Sequence, residues 1–368
     1  MLPLLRVAAL GSLLWQSATA RPQTSTSTAC NNSPDLCSRG YGNITHLGAH
    51  DSPFVSDSSN RFTSSGNQFF NSTTQLDAGV RLLSAQIHNV SSTDASLHLC
   101  HSDCGLYDAG PLTTWLASIS TWLEANPHEV VTLLLVNSVN ADASTLASQF
   151  SSSGITKFAY TPTTVPTSAA GWPTLQTLIN ANTRLITFVA SLPSGNAAAP
   201  YLLDEFTSIW ENPYDNISPS NFTCTPDRPA TVKGSLTTAK TSGKLFLMNH
   251  FLYVSQLFGI ESPNVDASAT TNSPDTTLTG SLGSAASTCK AQYGSAPNFI
   301  LVDWFNVGPA ISTVDSLNGV GSSVNGRKSV STTVMSQTFQ GAGVGVGRGR
   351  SAIALVIGFG VAVLAGWI

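Results

Sequence analysis

Three short segments carry the residues best suited to chemistry. Leu47-Gly48-Ala49-His50-Asp51-Ser52, Leu97-His98-Leu99-Cys100-His101-Ser102-Asp103-Cys104 and Ile300-Leu301-Val302-Asp303-Trp304 each place an ionisable side chain directly after an apolar run. Directly at the ends of the runs stand two imidazoles, His50 and His101, and two carboxylates, Asp51 and Asp303, with His98 inside its run and Asp103 beyond. This is the inventory for a displacement in which one group takes a proton from the nucleophile while another protonates the leaving group, as breaking a phosphodiester requires. Imidazole suits both tasks because its ordinary pKa of about 6.5 lies near working pH, and a carboxylate partner fixes its tautomer. Taken singly, each residue has a plainer role, a hydrogen-bonded histidine or a helix-capping aspartate. Their joint placement at run ends is what argues for a site.

Those run ends need a scaffold. Branched apolar runs at Ile44 to Gly48, Val80 to His88, Leu97 to Cys100, Val130 to Val136, Leu185 to Ala190, Lys244 to Met248 and Phe299 to Val302 alternate with helical patterns. That alternation predicts a parallel sheet with crossovers, and its length predicts a (β/α)8 TIM-type barrel, with possible irregularities. A further strand is suggested near Ser208 to Trp210, on a short pattern. Leu112, Trp115, Leu116, Ile119, Trp122 and Leu123 recur at helical spacing behind Pro111, predicting a helix whose apolar stripe covers the sheet. In such a barrel the active site forms at the C-terminal strand ends, where His50, His101 and Asp303 are expected.

The ends of the 368-residue chain read differently from its middle. Residues 1–20 have the Arg6, apolar stretch and Ala18-Thr19-Ala20 pattern of a signal peptide, and residues 21–29 form a flexible Ser/Thr-rich segment. The expected catalytic barrel spans 30–324, followed by a Ser/Thr/Gly-rich stalk at 325–343. Residues 344–368 close on an apolar run, and with Gly341, Ala342, Gly343, Arg348 and Arg350 upstream they read as a glycolipid-anchor signal, a plain membrane anchor being the alternative. The protein is therefore expected on the extracellular face of the plasma membrane or the cell wall. Sequons at Asn31, Asn43, Asn71, Asn89, Asn216 and Asn221 suit an exported glycoprotein. Cys30, Cys37, Cys100, Cys104, Cys224 and Cys289 suit disulfides in that compartment. Local pairing would join 30 to 37, 100 to 104 and 224 to 289, although six cysteines allow about 15 connectivities. Only 10% of residues are charged and the net charge is -4, which excludes the basic stripe needed for nucleic acid. A monomer is expected.

Gly48-Ala49-His50-Asp51-Ser52, Gly79-Val80-Arg81-Leu82-Leu83, Leu99-Cys100-His101, Asn126-Pro127-His128-Glu129 and Val302-Asp303 resemble, in order and spacing, the motifs of the phosphatidylinositol-specific phospholipase C X-domain family. The resemblance covers residues 40–140 well and beyond them rests on Trp210-Glu211-Asn212-Pro213, Asn249 and Asp303. It implies His50 as general base supported by Asp303, and His101 as general acid oriented by Asp51. The implied substrate is a phospholipid or glycophospholipid at a membrane surface, cleaved by attack of a ring hydroxyl on the neighbouring phosphorus.

Departures from the family pattern sharpen the expectation. Calcium-dependent members carry acidic ligands where this chain has Ser84 and Gln86, so neither a metal nor another cofactor is expected. Metal-free bacterial members use an arginine at the position of Gln86 to stabilise transition-state charge. His88, on the same strand face as Gln86, is the candidate replacement, and Gln86 itself should line the substrate site. Alternation puts Arg81 on the opposite face, where it should make a structural salt bridge. Glu211 and Asn249 are further candidates for the mouth of the site. A glycerophosphodiesterase would need His-Arg-Gly and Glu-x-Asp elements, which His50-Asp51-Ser52 and Ser84-Ala85-Gln86 do not supply. A metal hydrolase built from His46, His50, His98 and His101 lacks carboxylate support. The alternative from another class is a surface binding protein that keeps the barrel with weak or no turnover.

Overall fold

A computed structural model describes residues 28–193, 197, 199–255 and 261–336. The signal peptide, the anchor signal, most of the flexible N-terminal segment and part of the stalk lie outside the described residues. The strands are β1 (His46–Ala49), β2 (Leu82–Asn89), β3 (Leu97–Cys100), β4 (Asp108–Pro111), β5 (Val131–Asn137), β6 (Leu185–Ala190), β7 (Leu202–Asp204), β8 (Ile209–Glu211), β9 (Leu245–Asn249), β10 (Tyr253–Ser255), β11 (Glu261–Pro263) and β12 (Phe299–Val302). The helices are α1 (Ser72–Ala78), α2 (Leu112–Ala125), α3 (Ala143–Ser152), α4 (Leu175–Asn180), α5 (Glu205–Ser208), α6 (Leu236–Ser242), α7 (Ser268–Thr271), α8 (Leu282–Tyr293) and α9 (Ala310–Asn318).

Eight parallel strands follow the order β7-β6-β5-β2-β1-β12-β9-β8, so the sheet curls round in chain order as in a TIM-type barrel. The ladder is open at one seam, between β7 and β8. Only α5 connects these two strands, and a parallel crossover takes a dozen or more residues. β7, three residues long, went unrecognised, whereas β8 occupies the short pattern near Ser208. The run Leu97 to Cys100 is no barrel strand: β3 folds back antiparallel on β2 and pairs in turn with β4.

Strand periodicity builds the interior. Leu82, Leu134, Phe188, Leu247, Phe299 and Leu301 belong to one buried cluster inside the curled sheet, while Leu83, Leu133, Val189, Met248 and Ile300, one residue out of phase, belong to a second cluster with the α2 stripe. Leu112, Leu116, Ile119 and Leu123 of α2 are fully buried there; truncating such a leucine to alanine costs about 2–5 kcal/mol. The interior narrows at β1, where a Cβ added to Gly48 would lie 2.7 Å from Leu301 and 2.8 Å from Leu82. Below the sheet, outward-facing Arg81 forms a buried ion pair with Glu129 at 2.6 Å and donates to Asn32, the structural bridge that alternation predicts. Losing one partner of such a pair costs about 3–5 kcal/mol.

All six cysteines are paired locally, Cys30 with Cys37, Cys100 with Cys104 and Cys224 with Cys289. The second clamps the turn that follows β3 and so fixes the segment carrying His101.

Candidate active site

The inward phase of the barrel turns polar toward its C-terminal rim. Along β1 it runs His46, Gly48, His50; along β2, Leu82, Ser84, Gln86; along β9, Leu245, Leu247, Asn249; along β8, Ile209, Glu211. Period-two geometry thus lifts the His50, Gln86, Glu211 and Asn249 side chains into one mouth. These residues, with Asp51, Glu205, Arg228, Tyr214, Phe251 and Tyr253, line a pocket of about 240 Å³.

His50 is held on three sides. Its Nδ1 lies 2.9 Å from Asp303 Oδ1, and since a carboxylate only accepts, Nδ1 carries the hydrogen and Nε2 is the free basic nitrogen. Phe251 stacks on the ring at 3.7 Å with an interplanar angle of 3°. Asn67 Nδ2 donates to the same Asp303 oxygen at 3.0 Å, fixing the carboxylate behind the imidazole. Gln68 donates to the carbonyls of both His50 and Val302, pinning the two loops together. Burial pushes the His50 pKa down, but the charges of Asp51, Asp303 and Glu211 outweigh it, and the net position is above the ordinary histidine value.

His101 is held differently. It comes from the turn after β3, not from a barrel strand, and its Nδ1 donates to the backbone carbonyl of Ser65 at 2.6 Å. Its ring lies against Phe54, 5.2 Å between centroids. Asp51 does not brace this Nδ1 as the sequence reading expects. Asp51 Oδ2 instead faces the Nε2 atoms of both rings, 3.6 Å from His50 and 3.7 Å from His101. The two imidazoles therefore confront one another across a single carboxylate oxygen.

Asp51 holds that position through a left-handed backbone, φ 47°, a conformation open to Asx residues. Its N–H donates to Ser84 Oγ at 2.8 Å, and its Oδ2 accepts from Gln86 Nε2 at 2.7 Å. Gln86 Oε1 accepts from the Ser102 N–H, so this carboxamide ties the Asp51 loop to the His101 turn. Ser84 and Gln86, where metal-binding relatives would carry acids, are thus committed to positioning Asp51. Among the described residues no three His, Cys, Asp or Glu side chains are grouped to hold a metal ion.

His88 sits beyond Gln86 on β2 and, like His101, lies outside the pocket lining; unlike His101 it makes no ion pair with the Asp51 carboxylate. Burial acts on it first and, with His101 nearby, holds its pKa below the ordinary histidine value despite Asp103 and Asp51. A ring kept neutral in this way supplies no fixed positive charge at neutral pH. Nor do the four histidines gather round a metal: His46 Nε2 donates to Tyr41 O at the other end of β1, and His98 pairs with Asp108.

The far wall of the pocket holds the cation that sequence reasoning missed. Arg228 pairs through its guanidinium with Glu211 Oε2, which also accepts from Asn249 Nδ2 at 3.0 Å. Tyr214 lies under the guanidinium, 4.4 Å to the ring centroid. Glu205 is buried against Glu211; burial first, then the Glu211 charge, push its pKa well up. Arg228 reaches Glu211 because its backbone bridges that residue, and no periodicity in residues 212–227 announces that return.

Comparison with known proteins agrees with this geometry. Residues 36–318 match the sequence pattern of the PI-PLC X family (PI-PLC X 1). A PI-PLC X domain-containing protein 1 of Arthroderma benhamiae is 35% identical over 292 residues, covering 79% of this chain and 90% of that protein. An uncharacterized secreted protein of the same fungus is 35% identical over 298 residues, of whose length the alignment spans 62%. Among solved structures, the phosphatidylinositol-specific phospholipase C of Listeria monocytogenes superposes with a TM-score of 0.51 at 16% identity, covering 80% of this chain and 98% of that one. The enzyme from Staphylococcus aureus gives 0.52 at 12% identity, covering 78% and 99%. The two structures share the fold, and the family match over most of the chain fixes the lineage: this chain belongs to the PI-PLC X family.

Proposed function

We propose that this protein is a phosphodiesterase that cleaves the phosphodiester of a phospholipid or glycolipid anchor by acid–base catalysis between His50 and His101. The observation that carries this reading is the pair of Nε2 atoms facing one Asp51 oxygen while each Nδ1 is occupied by an acceptor. His50 Nε2 takes the proton of a head-group hydroxyl, whose oxygen attacks phosphorus. The bond from phosphorus to the lipid oxygen breaks, and His101, acting as the imidazolium with Nδ1–H on Ser65 O, protonates that oxygen from Nε2–H and is left as the neutral ring. The products are a cyclic phosphate and a neutral diacylglycerol-type alcohol. Arg228, Glu211, Asn249 and Tyr214 present donors, acceptors and a ring face to a hydroxylated head group.

A lipid surface as partner is supported by the rim. Val136 and Tyr214 are exposed members of the pocket lining, and Val254 is exposed next to the lining residue Tyr253. Exposed apolar side chains at the mouth suit contact with a membrane. The secreted Arthroderma relative fits an extracellular site of action, at the cell surface if the anchor signal is used.

One observation favours a second reading, a binding protein with weak turnover. The group at Asp51 is the neutral amide of Gln86, and the charge of Arg228 is matched by Glu211. Release of water-soluble phosphate esters from phosphatidylinositol, lysophospholipid and glycolipid-anchor substrates, with and without chelator, separates the two. Chelator-resistant turnover on one of these, lost in His50→Ala and in His101→Ala, supports the hydrolase. No turnover on any diester supports the binder, and chelator-sensitive turnover contradicts the two-histidine mechanism.

A further inference from the structure

A second cavity lies at the opposite end of the barrel. It has a volume of about 460 Å³, larger than the catalytic pocket, and opens at the N-terminal ends of β1, β8, β9 and β12. Arg39, Lys240, Lys244 and Lys290 line it, and no aspartate or glutamate does. In a chain of net charge -4 that is a local reversal.

The pairing of the lysines makes the contrast sharper. Lys157, Lys233 and Lys328 each meet a carboxylate, Glu124, Asp227 and Asp77 respectively. Lys240, Lys244 and Lys290 form no salt bridge among the described residues, although the Asp204 charge acts on Lys244, and all three line the cavity. Two of its four cations are anchored by carbonyls: Arg39 donates to Asn318 O at 2.6 Å, and Lys244 to Phe206 O and Thr207 O at 2.7 and 2.6 Å. Lys240 and Lys290 are exposed, and the Lys240 ammonium lies over the Tyr293 ring, 5.8 Å from its centroid. Their places in the last turns of α6 and α8 favour a cation through the helix dipole. That accounts for the residue type, but not for convergence on an acid-free hollow. The hydroxyl of Tyr293, also in the lining, is buried without a hydrogen-bond partner, a cost that a ligand oxygen would remove.

We propose that this cavity is a second binding site, for a sugar- or polyol-sized polyanion bearing several phosphate or sulfate groups. Carbonyl-anchored Arg39 and Lys244 give it preorganised charge, and the exposed ammonium groups of Lys240 and Lys290 add charge at its rim. Because the cavity faces away from the catalytic mouth, its ligand is drawn from solution or the surrounding matrix and not from the bilayer being cleaved.

Titration calorimetry on the secreted protein tests this, with myo-inositol hexakisphosphate and a heparin-derived sulfated disaccharide as probes. At least one probe binds, more weakly as salt rises, and the Lys240→Glu/Lys290→Glu variant weakens it roughly tenfold or more. The variant stays folded, losing at most a few degrees of melting temperature to the reversed charges at the helix ends, and keeps its diester turnover. Binding of the phosphorylated probe alone, or of the sulfated one alone, identifies the preferred anion. Tyr293→Phe, which leaves the exposed charges intact, weakens binding by a smaller factor. Absence of binding by both probes, or unchanged affinity in the double lysine variant, overturns the proposal.

Discussion

The two imidazoles that face Asp51 are secured by different physics. His50 stands at the tip of a barrel strand with its Nδ1 on a carboxylate and its ring on Phe251. His101 stands on an antiparallel excursion closed by a disulfide, with its Nδ1 on a peptide carbonyl. A full negative charge stabilises an imidazolium more than a neutral carbonyl does. The first arrangement therefore suits a ring that must gain a proton, and His101, whose Nε2 faces the same Asp51 oxygen, is the proposed donor. The difference also separates the scaffolds: His50, the proposed base, follows directly on barrel strand β1, whereas His101, the proposed acid, depends on a short loop clamped by a disulfide.

The heaviest blow to this division is removal of either ring. His50→Ala and His101→Ala each lower turnover by roughly 10^3-fold, the usual range for positioned acid–base groups, with secretion and melting temperature retained. Next in size, Asp303→Asn lowers kcat/KM by roughly 10^2-fold and shifts the pH profile. His50 works only when Nε2 is free of a proton, so activity rises with pH through its raised pKa. Loss of the Asp303 charge lowers that pKa, and the acidic limb of the kcat/KM profile moves to lower pH. An unmoved limb would mean that another group is the base. Smaller again is the Cys100→Ser/Cys104→Ser variant. Loosening the His101 turn lowers kcat by roughly tenfold while KM and the acidic limb stay in place, because His50 and the pocket wall are untouched.

Much of this was legible in residue order. Branched runs that end in His50 and Asp303 announced parallel strands with polar tips, and alternation assigned Arg81 to the outer face and Gln86 to the inner one. Local cysteine spacing anticipated the three disulfides. What stayed hidden has physical causes. The carbonyl of Ser65 could belong to any residue, so no side chain betrays it. β3 has the composition of a barrel strand, and only its antiparallel register with β2 shows otherwise. Arg228 and Glu205 lie in an aperiodic loop and a four-residue helix, where sequence patterns carry no positional signal. Asp51 was expected to brace one histidine and faces two, because its left-handed backbone turns the carboxylate inward.

The division of labour is tested most directly with paired substrates that share a head group and differ in leaving group, one an alkoxide and one a phenolate that departs without a proton. The account predicts that the phenolate substrate restores most of the activity lost in His101→Ala and little of that lost in His50→Ala. Equal restoration in both variants, or restoration in His50→Ala alone, would contradict the assignment of base and acid.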